Sequence, residues 1–450
     1  MVADKNIATP EPATTAADWK TTDVGSVFVS NYPPYSFWTD GSVNGVTDML
    51  AESGAPDTPM GLYLHIPFCR KRCKFCYFRV YTDKNAREID TYCDALAREV
   101  ELYAETARTK GRPLDFVYFG GGTPSYISVK HLNALVDRVK QAMPWDQARE
   151  VAFECEPGTL TQPKLEAIKG IGVTRLSLGV ENMIDEILRE NGRAHVTDEI
   201  YRVMPRVHEL GFDQVNVDLI SGMVGETWET WQVTVQKTID LDPDSLTIYQ
   251  MELPFNTVYS KSIREEENSA PAVANWETKR AWHDYAIETF RSAGYEVASA
   301  YTLVKKDRPT SFVYRDALWH SADMIGTGVA SFSHVGGVHF QNKTHWDAYL
   351  GDIAEGRLPL NRAFTPTEEE RFAREMILQL KLGHISASYF SEKFGVDILE
   401  RYAPQFRRLD DEGMLSVEDG QVRLSRQGLL RVDQLLPAFY EPKYQGSRYT

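Results

Sequence analysis

Cysteine is scarce, five in 450 residues, and base is outnumbered by acid, 49 Lys and Arg against 64 Asp and Glu, for a net charge of −15. So few thiols exclude a disulfide scaffold. The acidic balance argues against a protein whose main task is to coat nucleic acid or an anionic membrane, because neutralising phosphates takes clustered Lys and Arg. Long apolar runs are also missing: none approaches the ~20 residues of a membrane-spanning helix. The opening stretch MVADKNIATPEPATTAADWK has neither the basic region nor the apolar run of a secretory signal, so a cytoplasmic location is the expectation. In that reducing compartment clustered cysteines are more often metal ligands or catalytic thiols than disulfides.

What is present is an ordinary globular composition, 42% hydrophobic and 25% charged, in a chain long enough for more than one domain. Residues 1 to about 24 lack periodicity and read as a mobile lead; VFVSNYPPYSFWTDG then reads as an ordered extended segment that covers a barrel end or walls a site. From about residue 60, short β-rich runs alternate with helical patterns. The strand candidates are GLYLHI (61–66), DFVYF (115–119), VAFEC (151–155), RLSLGV (175–180), QVNVDLI (214–220) and LTIYQM (246–251). Ile89, Tyr92, Leu96, Val100 and Tyr103 mark an amphipathic helix between the first two. Such alternation implies parallel strands with right-handed crossovers, hence an α/β partial (β/α)6 barrel whose chemistry gathers at the C-terminal strand ends.

Further along, REEENSAPAV (264–273) reads as a solvated loop. TPTEEERFAREMILQLKL opens a helix with Thr365 as N-cap, Pro366 at the first position and Glu368 closing a capping box. MLSVEDGQVRLS gives two short strands about an Asp-Gly turn, and the whole tail suggests a small winged-helix-like α+β domain that acts as a structural cap rather than a DNA reader. The expected division is a lead and covering segment over 1–58, the barrel over 59–300, a barrel extension over 301–364 and the C-terminal domain over 365–450.

Three of the five cysteines, Cys69, Cys73 and Cys76, fall within eight positions of PFCRKRCKFCYF, directly after the first strand. Structural zinc normally takes four Cys or His ligands, and Cys93 and Cys155 lie in a predicted helix and strand, as buried thiols rather than a partner pair. Iron-sulfur clusters take closely spaced thiolates, usually four, so three would leave one iron open to a small molecule. Arg70, Lys71, Arg72, Lys74 and Arg79 are expected to favour the thiolates, to offset the cluster's charge, or to dock an acidic electron donor such as a flavodoxin or ferredoxin.

The spacing C-x3-C-x2-C, with Phe75 before the third cysteine, resembles the signature of the radical S-adenosylmethionine (SAM) enzymes. Together with YLHIPFC, YFGGGTPS, FECEPGTL, RLSLGVEN and VNVDLISGM, it resembles the oxygen-independent coproporphyrinogen III oxidase-like (HemN-like) family over about residues 28–445. The resemblance implies a 4Fe-4S cluster on Cys69, Cys73 and Cys76, with SAM on the open iron as the source of a 5′-deoxyadenosyl radical. It implies that Gly120, Gly121, Gly122 and Thr123 contact the methionine moiety, that Glu154 and Arg193 bind the first SAM, and that Tyr63 lies near the cluster. A second SAM would be held at Asp218 and Ile220, and at Glu181, where the oxidase pattern has glutamine. Tyr63 and Glu181 are the catalytic candidates.

Phe78 stands where the authentic oxidases usually carry a further cysteine, and SGMV replaces their YGLP. The leading expectation is therefore a methyltransferase of this branch that uses the second SAM. The alternatives are coproporphyrinogen III oxidation and a haem-carrying chaperone with His334, His339 or His345 as ligand. The expected substrate is flat, aromatic or tetrapyrrolic, with Trp38, Tyr249 and Phe255 as candidate pocket walls.

Overall fold

The computed structural model describes residues 26–265, 273–308 and 310–447. The lead before residue 25 and the centre of the REEENSAPAV loop, 266–272, lie outside the described residues.

Six parallel strands stand in sequence order: β1 (Met60–Ile66), β2 (Phe116–Gly121), β3 (Glu150–Cys155), β4 (Arg175–Glu181), β5 (Gln214–Ser221) and β6 (Ser245–Gln250). The sheet does not end there. β7 (Tyr295–Val297) and β8 (Thr302–Lys305) extend it antiparallel beyond β6. On the other side β9 (Asp323–Thr327) joins β1 as a seventh parallel strand, followed by antiparallel β10 (Phe332–Val335), β11 (Val338–Asn342) and β12 (Leu360–Phe364). The result is one open sheet of twelve strands, bounded by β12 and β7. Sequence periodicity missed the seventh parallel strand because MIGT carries only a short apolar signal; its partner is set by tertiary packing against β1.

Strand alternation decides what the barrel holds. Leu62, Leu64 and Ile66 of β1, Val117 and Phe119 of β2, Val151 and Phe153 of β3, Leu176 and Leu178 of β4 and Val215, Val217 and Leu219 of β5 point into one apolar core with the surrounding helices. The intervening residues form the other face, which is apolar around Phe116 and Ala152 but otherwise carries polar side chains: Tyr63 and His65, Tyr118, Glu154, Ser177, then Asn216 and Asp218. A hydrogen-bonded spine follows this inner face. Gln214 Nε2 donates to Ser245 Oγ (3.1 Å), Ser245 Oγ to Asn216 Oδ1 (2.8 Å), and Asn216 Nδ2 to Asp218 Oδ1 (2.8 Å).

The helix Glu368–Leu380 opens the C-terminal unit, followed by β13 (His384–Ser386), β14 (Leu415–Glu418) and β15 (Gln421–Leu424) in a three-stranded antiparallel sheet. Asp419 and Gly420, at φ +50° and +75°, make the two-residue turn between the last two. The capping box is shifted two residues from the expected Thr365–Glu368 frame. Thr367 is the N-cap: its side chain accepts from the Glu370 N–H (3.2 Å), and Glu370 accepts from the Thr367 N–H (2.8 Å). The sequence TPTEEE fits both frames; Lys443 and Tyr444, both of which bond Glu370, are distant in sequence and select the second.

The aromatic segment after residue 26 is ordered and clamped. Val29 N–H donates to Asp433 (2.9 Å), the Tyr32 ring packs on Tyr440 and Tyr444, and Thr39 bridges Ala363 of β12. Trp38 is buried, stacked on His339 at 5.3 Å and against Phe332, so it is core rather than pocket wall. His334 and His339 are buried with Nδ1 atoms 3.0 Å apart, and burial pushes both imidazoles well down.

Candidate cluster and cofactor site

The cysteine loop leaves the C-terminal end of β1 and is tied down at several points. Cys69 N–H donates to Tyr81 O (3.1 Å), Lys74 N–H to Asn191 O (3.0 Å), and Cys76 N–H to Cys73 O (3.2 Å). Phe75 packs in a small apolar cluster with Val224, Met251, Leu253 and Tyr259, and half-buried Ile220 at the end of β5 joins the same cluster. Tyr77 and Phe78 remain exposed beside each other, ring centroids 4.4 Å apart.

All three thiols are partly buried and free of disulfides. Thr123 Oγ1 donates to Cys69 Sγ (3.4 Å) and Arg193 Nη1 to Cys73 Sγ (3.4 Å). Two of the adjacent basic side chains are engaged by carboxylates rather than by the thiols. Arg70 forks onto Glu156 (3.0 and 2.9 Å) and Lys74 pairs with Glu190 (3.0 Å). Burial and the neighbouring Cys73 push the Cys69 thiol up to about 11 and the Cys76 thiol up to about 12, so proximity in sequence to Arg and Lys does not itself make thiolates.

Gly120 and Gly121 end β2 and Gly122 and Thr123 follow it beside this loop, and the turn needs glycine. Gly121 has φ +113°, and a Cβ there would lie 2.5 Å from the His65 ring. At Gly122 a Cβ would lie 2.9 Å from Phe68 O. Glu154 couples the turn to the barrel interior, accepting from the Gly121 N–H (3.1 Å) and from Tyr118 Oη (2.7 Å). Tyr118 stacks on Tyr63 with centroids 5.8 Å apart, and Tyr63 Oη lies 3.2 Å from His65 Nδ1.

Glu181 sits at a bulge: the β4–β5 register skips between Gly179 and Glu181, and Glu181 itself adopts φ +65°. That left-handed conformation is costly for a non-glycine residue and marks a side chain that the fold re-aims. Its carboxylate lies 3.6 Å from Arg193, whose Nη2 donates to Gly179 O (2.6 Å). Burial opposes the charge on Arg193, but Cys73, Glu181 and Glu156 outweigh it and raise its pKa. Asp218 accepts from Ser177 (2.9 Å) and Asn216 (2.8 Å). Burial, reinforced by Asp218, pushes Glu154 up to about 7, and burial against the pull of Arg193 pushes Glu181 up to about 7. Burial also raises Asp218.

The mouth therefore brings Tyr63, the three cysteines, the glycine turn, Glu154, Glu181, Arg193 and Asp218 near one another, whereas Trp38, His334 and His339 lie in the interior. Four more belong to it: His65, Tyr118, Glu156 and His195. Burial would raise Glu156, yet hydrogen bonds from His195 and Arg70 hold it down at about 2, and the three form a bracket between the cysteine loop and the end of β3. Sequence reading missed all four; strand alternation could have found His65 and Tyr118, which lie two residues from Tyr63 and Gly120 on the same strands. Nothing local signals His195, whose partner is 39 positions away.

Among the described residues no three His, Cys, Asp or Glu side chains converge as the ligands of a single metal ion would. A cubane cluster asks for something different, one thiolate on each of three separate irons, and the loop offers three thiols beside a glycine turn and an Arg193 whose buried Nε lacks an acceptor among the described residues. This donor set fits a three-thiolate cluster with a bound anionic group.

The comparisons agree with this geometry. The radical SAM superfamily model matches residues 63–238 and the HemN C-terminal domain model matches 367–431. The chain is 27% identical to the haem chaperone HemW of Bacillus subtilis over 389 residues, 84% of this chain and 98% of that protein. It is 24% identical to the oxygen-independent coproporphyrinogen III oxidase of Escherichia coli over 404 residues, 85% and 86% of the two chains. The solved structure of the E. coli oxidase HemN has the same fold, with a TM-score of 0.80 at 21% identity over 92% of this chain and 96% of that one. The chain thus carries a radical SAM domain over residues 63–238, which includes the cysteine loop, the glycine turn and most of the polar barrel face, and a HemN C-terminal domain over residues 367–431.

Proposed function

We propose that this protein is a radical SAM methyltransferase of the HemN-like branch, which holds two SAM molecules over the barrel mouth. The observation that carries the reading is the charge of that mouth. Glu154, Glu181 and Asp218 are largely enclosed and close enough that Asp218 raises the pKa of both glutamates and Glu154 raises that of Glu181, and Arg193 is the cation in contact with Glu181. Such an excess of buried carboxylate is costly until a cation arrives, and SAM brings an ammonium and a sulfonium.

Cys69, Cys73 and Cys76 would hold the cluster, and the turn Gly120–Thr123 would admit the methionine moiety against bare backbone. Glu154 would accept the ammonium of the first SAM and Arg193 would pair with its carboxylate; Asp218, Ile220 and Glu181 would hold the second. When bound, the cluster supplies the electron that cleaves one SAM, and the other supplies the methyl group. Tyr63, locked by Tyr118 and His65, would set the floor beneath the reacting carbon.

A second reading, oxidative decarboxylation of coproporphyrinogen III, is favoured by the 86% coverage of the E. coli oxidase. Its substrate carries four propionates, which the three carboxylates of the mouth would repel unless protonated or neutralised. The deciding test is anaerobic reconstitution followed by SAM with and without dithionite. Reductant-dependent 5′-deoxyadenosine together with S-adenosylhomocysteine supports methyl transfer. Conversion of coproporphyrinogen III with release of carbon dioxide and no S-adenosylhomocysteine would replace it with the oxidase reading.

A further inference from the structure

A cavity of about 430 Å³ lies at the other end of the barrel, against the first residues of β4 and β5. The helix Val313–Trp319 and the stretch from Leu382 to His384 close it, so barrel and C-terminal unit each supply a wall. Its size is within the usual ~300–1,000 Å³ of small-ligand pockets. Arg175, Gln214, Thr310, Arg315, His320 and His384 give it a polar, mainly basic lining, with Asp316 as the acidic member.

Two of these groups are unsatisfied. Arg175 is only 2% exposed, and its Nη1 has no acceptor among the described residues; Thr310 Oγ1 is buried without one as well. Arg175 lies 4.1 Å from the centre of the Phe312 ring, and Arg315 lies 5.6 Å from the same ring, so two guanidiniums flank one aromatic group. Arg315 is engaged, by Asp316 (2.8 Å) and Ser299 (3.1 Å). Glu150, the carboxylate with the largest electrostatic effect on Arg175, accepts instead from the backbone N–H groups of Val313 and Tyr314 (3.1 and 3.0 Å).

A buried guanidinium with a free N–H costs free energy, and an oxyanion that presents two acceptor oxygens is the group that matches its fork. We propose that this cavity is a second ligand site, specific for a carboxylate or phosphate group, in which Arg175 is the buried fork and Thr310 adds a hydroxyl donor. The site is separate from the SAM mouth: Arg175 begins β4, whereas Glu181 ends it.

Calorimetric titration of the full-length protein with inorganic phosphate and, separately, with succinate tests the assignment and distinguishes the two sources of oxyanion. Saturable binding of at least one probe is expected, weakened at least about tenfold in Arg175→Gln and several-fold in Thr310→Val. Absence of saturable binding by either probe overturns the proposal and leaves Arg175 as a structural cation opposite Glu150. Wild-type affinity in both variants overturns it equally. Should Arg175→Gln fail to fold by circular dichroism, Thr310→Val carries the test alone: the isosteric change removes only the hydroxyl, and unchanged affinity overturns the site.

Discussion

The two ends of one barrel hold polar clusters of different make-up. At the C-terminal strand ends, Glu154, Glu181 and Asp218 crowd together with Arg193; at the N-terminal ends, Arg175 and Arg315 flank Phe312 with Asp316 committed to Arg315. The same strands supply both, because β4 starts on Arg175 and finishes on Glu181 while its alternate residues Leu176, Leu178 and Val180 enter the core. The difference teaches that a parallel strand buried on both sides can still separate chemistries along its length. Its core-facing residues must be apolar, whereas its inner face is free to vary from end to end.

The sharpest way to break the comparison is to remove the cluster ligands. Cys69→Ala, Cys73→Ala or Cys76→Ala is expected to abolish the reconstituted iron-sulfur absorbance and all 5′-deoxyadenosine formation, measured by visible spectroscopy and chromatography, because a three-thiolate site has no spare ligand. Cys93→Ala and Cys155→Ala, both buried in the apolar core, should keep the cluster and lose stability instead. A smaller effect belongs to Arg193. Arg193→Met should assemble a cluster yet lower reductive SAM cleavage by about 10²-fold, because the guanidinium that touches Cys73, Gly179 and Glu181 is gone.

The third prediction concerns pH. Glu154 and Glu181, raised to about 7 from an ordinary 4.5, bind a proton more readily folded than unfolded. Their contribution to stability is therefore fully present below the unfolded value and is lost as pH rises through about 7. Thermal unfolding of the protein before cofactor addition should show a midpoint that falls across this window. Glu181→Gln should flatten that slope and stabilise the protein by about 1–2 kcal/mol at pH 8, since it deletes a charge that burial disfavours. A Glu181→Gln midpoint that follows the wild-type slope would show that the mouth is not charged as described.

The smallest effect lies in the helix that leads to the lower cavity wall. Thr367→Ala should cost about 1 kcal/mol in denaturant unfolding, and Thr365→Ala close to none, because the capping box uses Thr367 and Glu370.

That cap illustrates why some features were legible and others were not. TPTEEE contains two overlapping capping frames, and local chemistry is equal in both; Lys443 and Tyr444 decide between them from over seventy positions away. The same holds for the basic loop. Five positive residues beside three cysteines suggested thiolate stabilisation, but Arg70 and Lys74 turn to Glu156 and Glu190, and the contact to Cys73 comes from Arg193, 120 positions along the chain. Trp38, a candidate pocket wall by composition, is packed on His339 in the interior.

The sequence by itself determined the six parallel strands, the cysteine loop after the first, the glycine turn after the second and the hairpin near the C-terminus. Each rests on a short-range rule: period-two alternation, fixed ligand spacing, or the left-handed backbone that only glycine adopts at low cost. Tertiary structure alone decided the seventh parallel strand, the Arg193 contact to Cys73, the strained placement of Glu181 and the basic cavity beneath β4. These depend on which distant side chains share a buried volume, and burial sets the cost of every charge placed there.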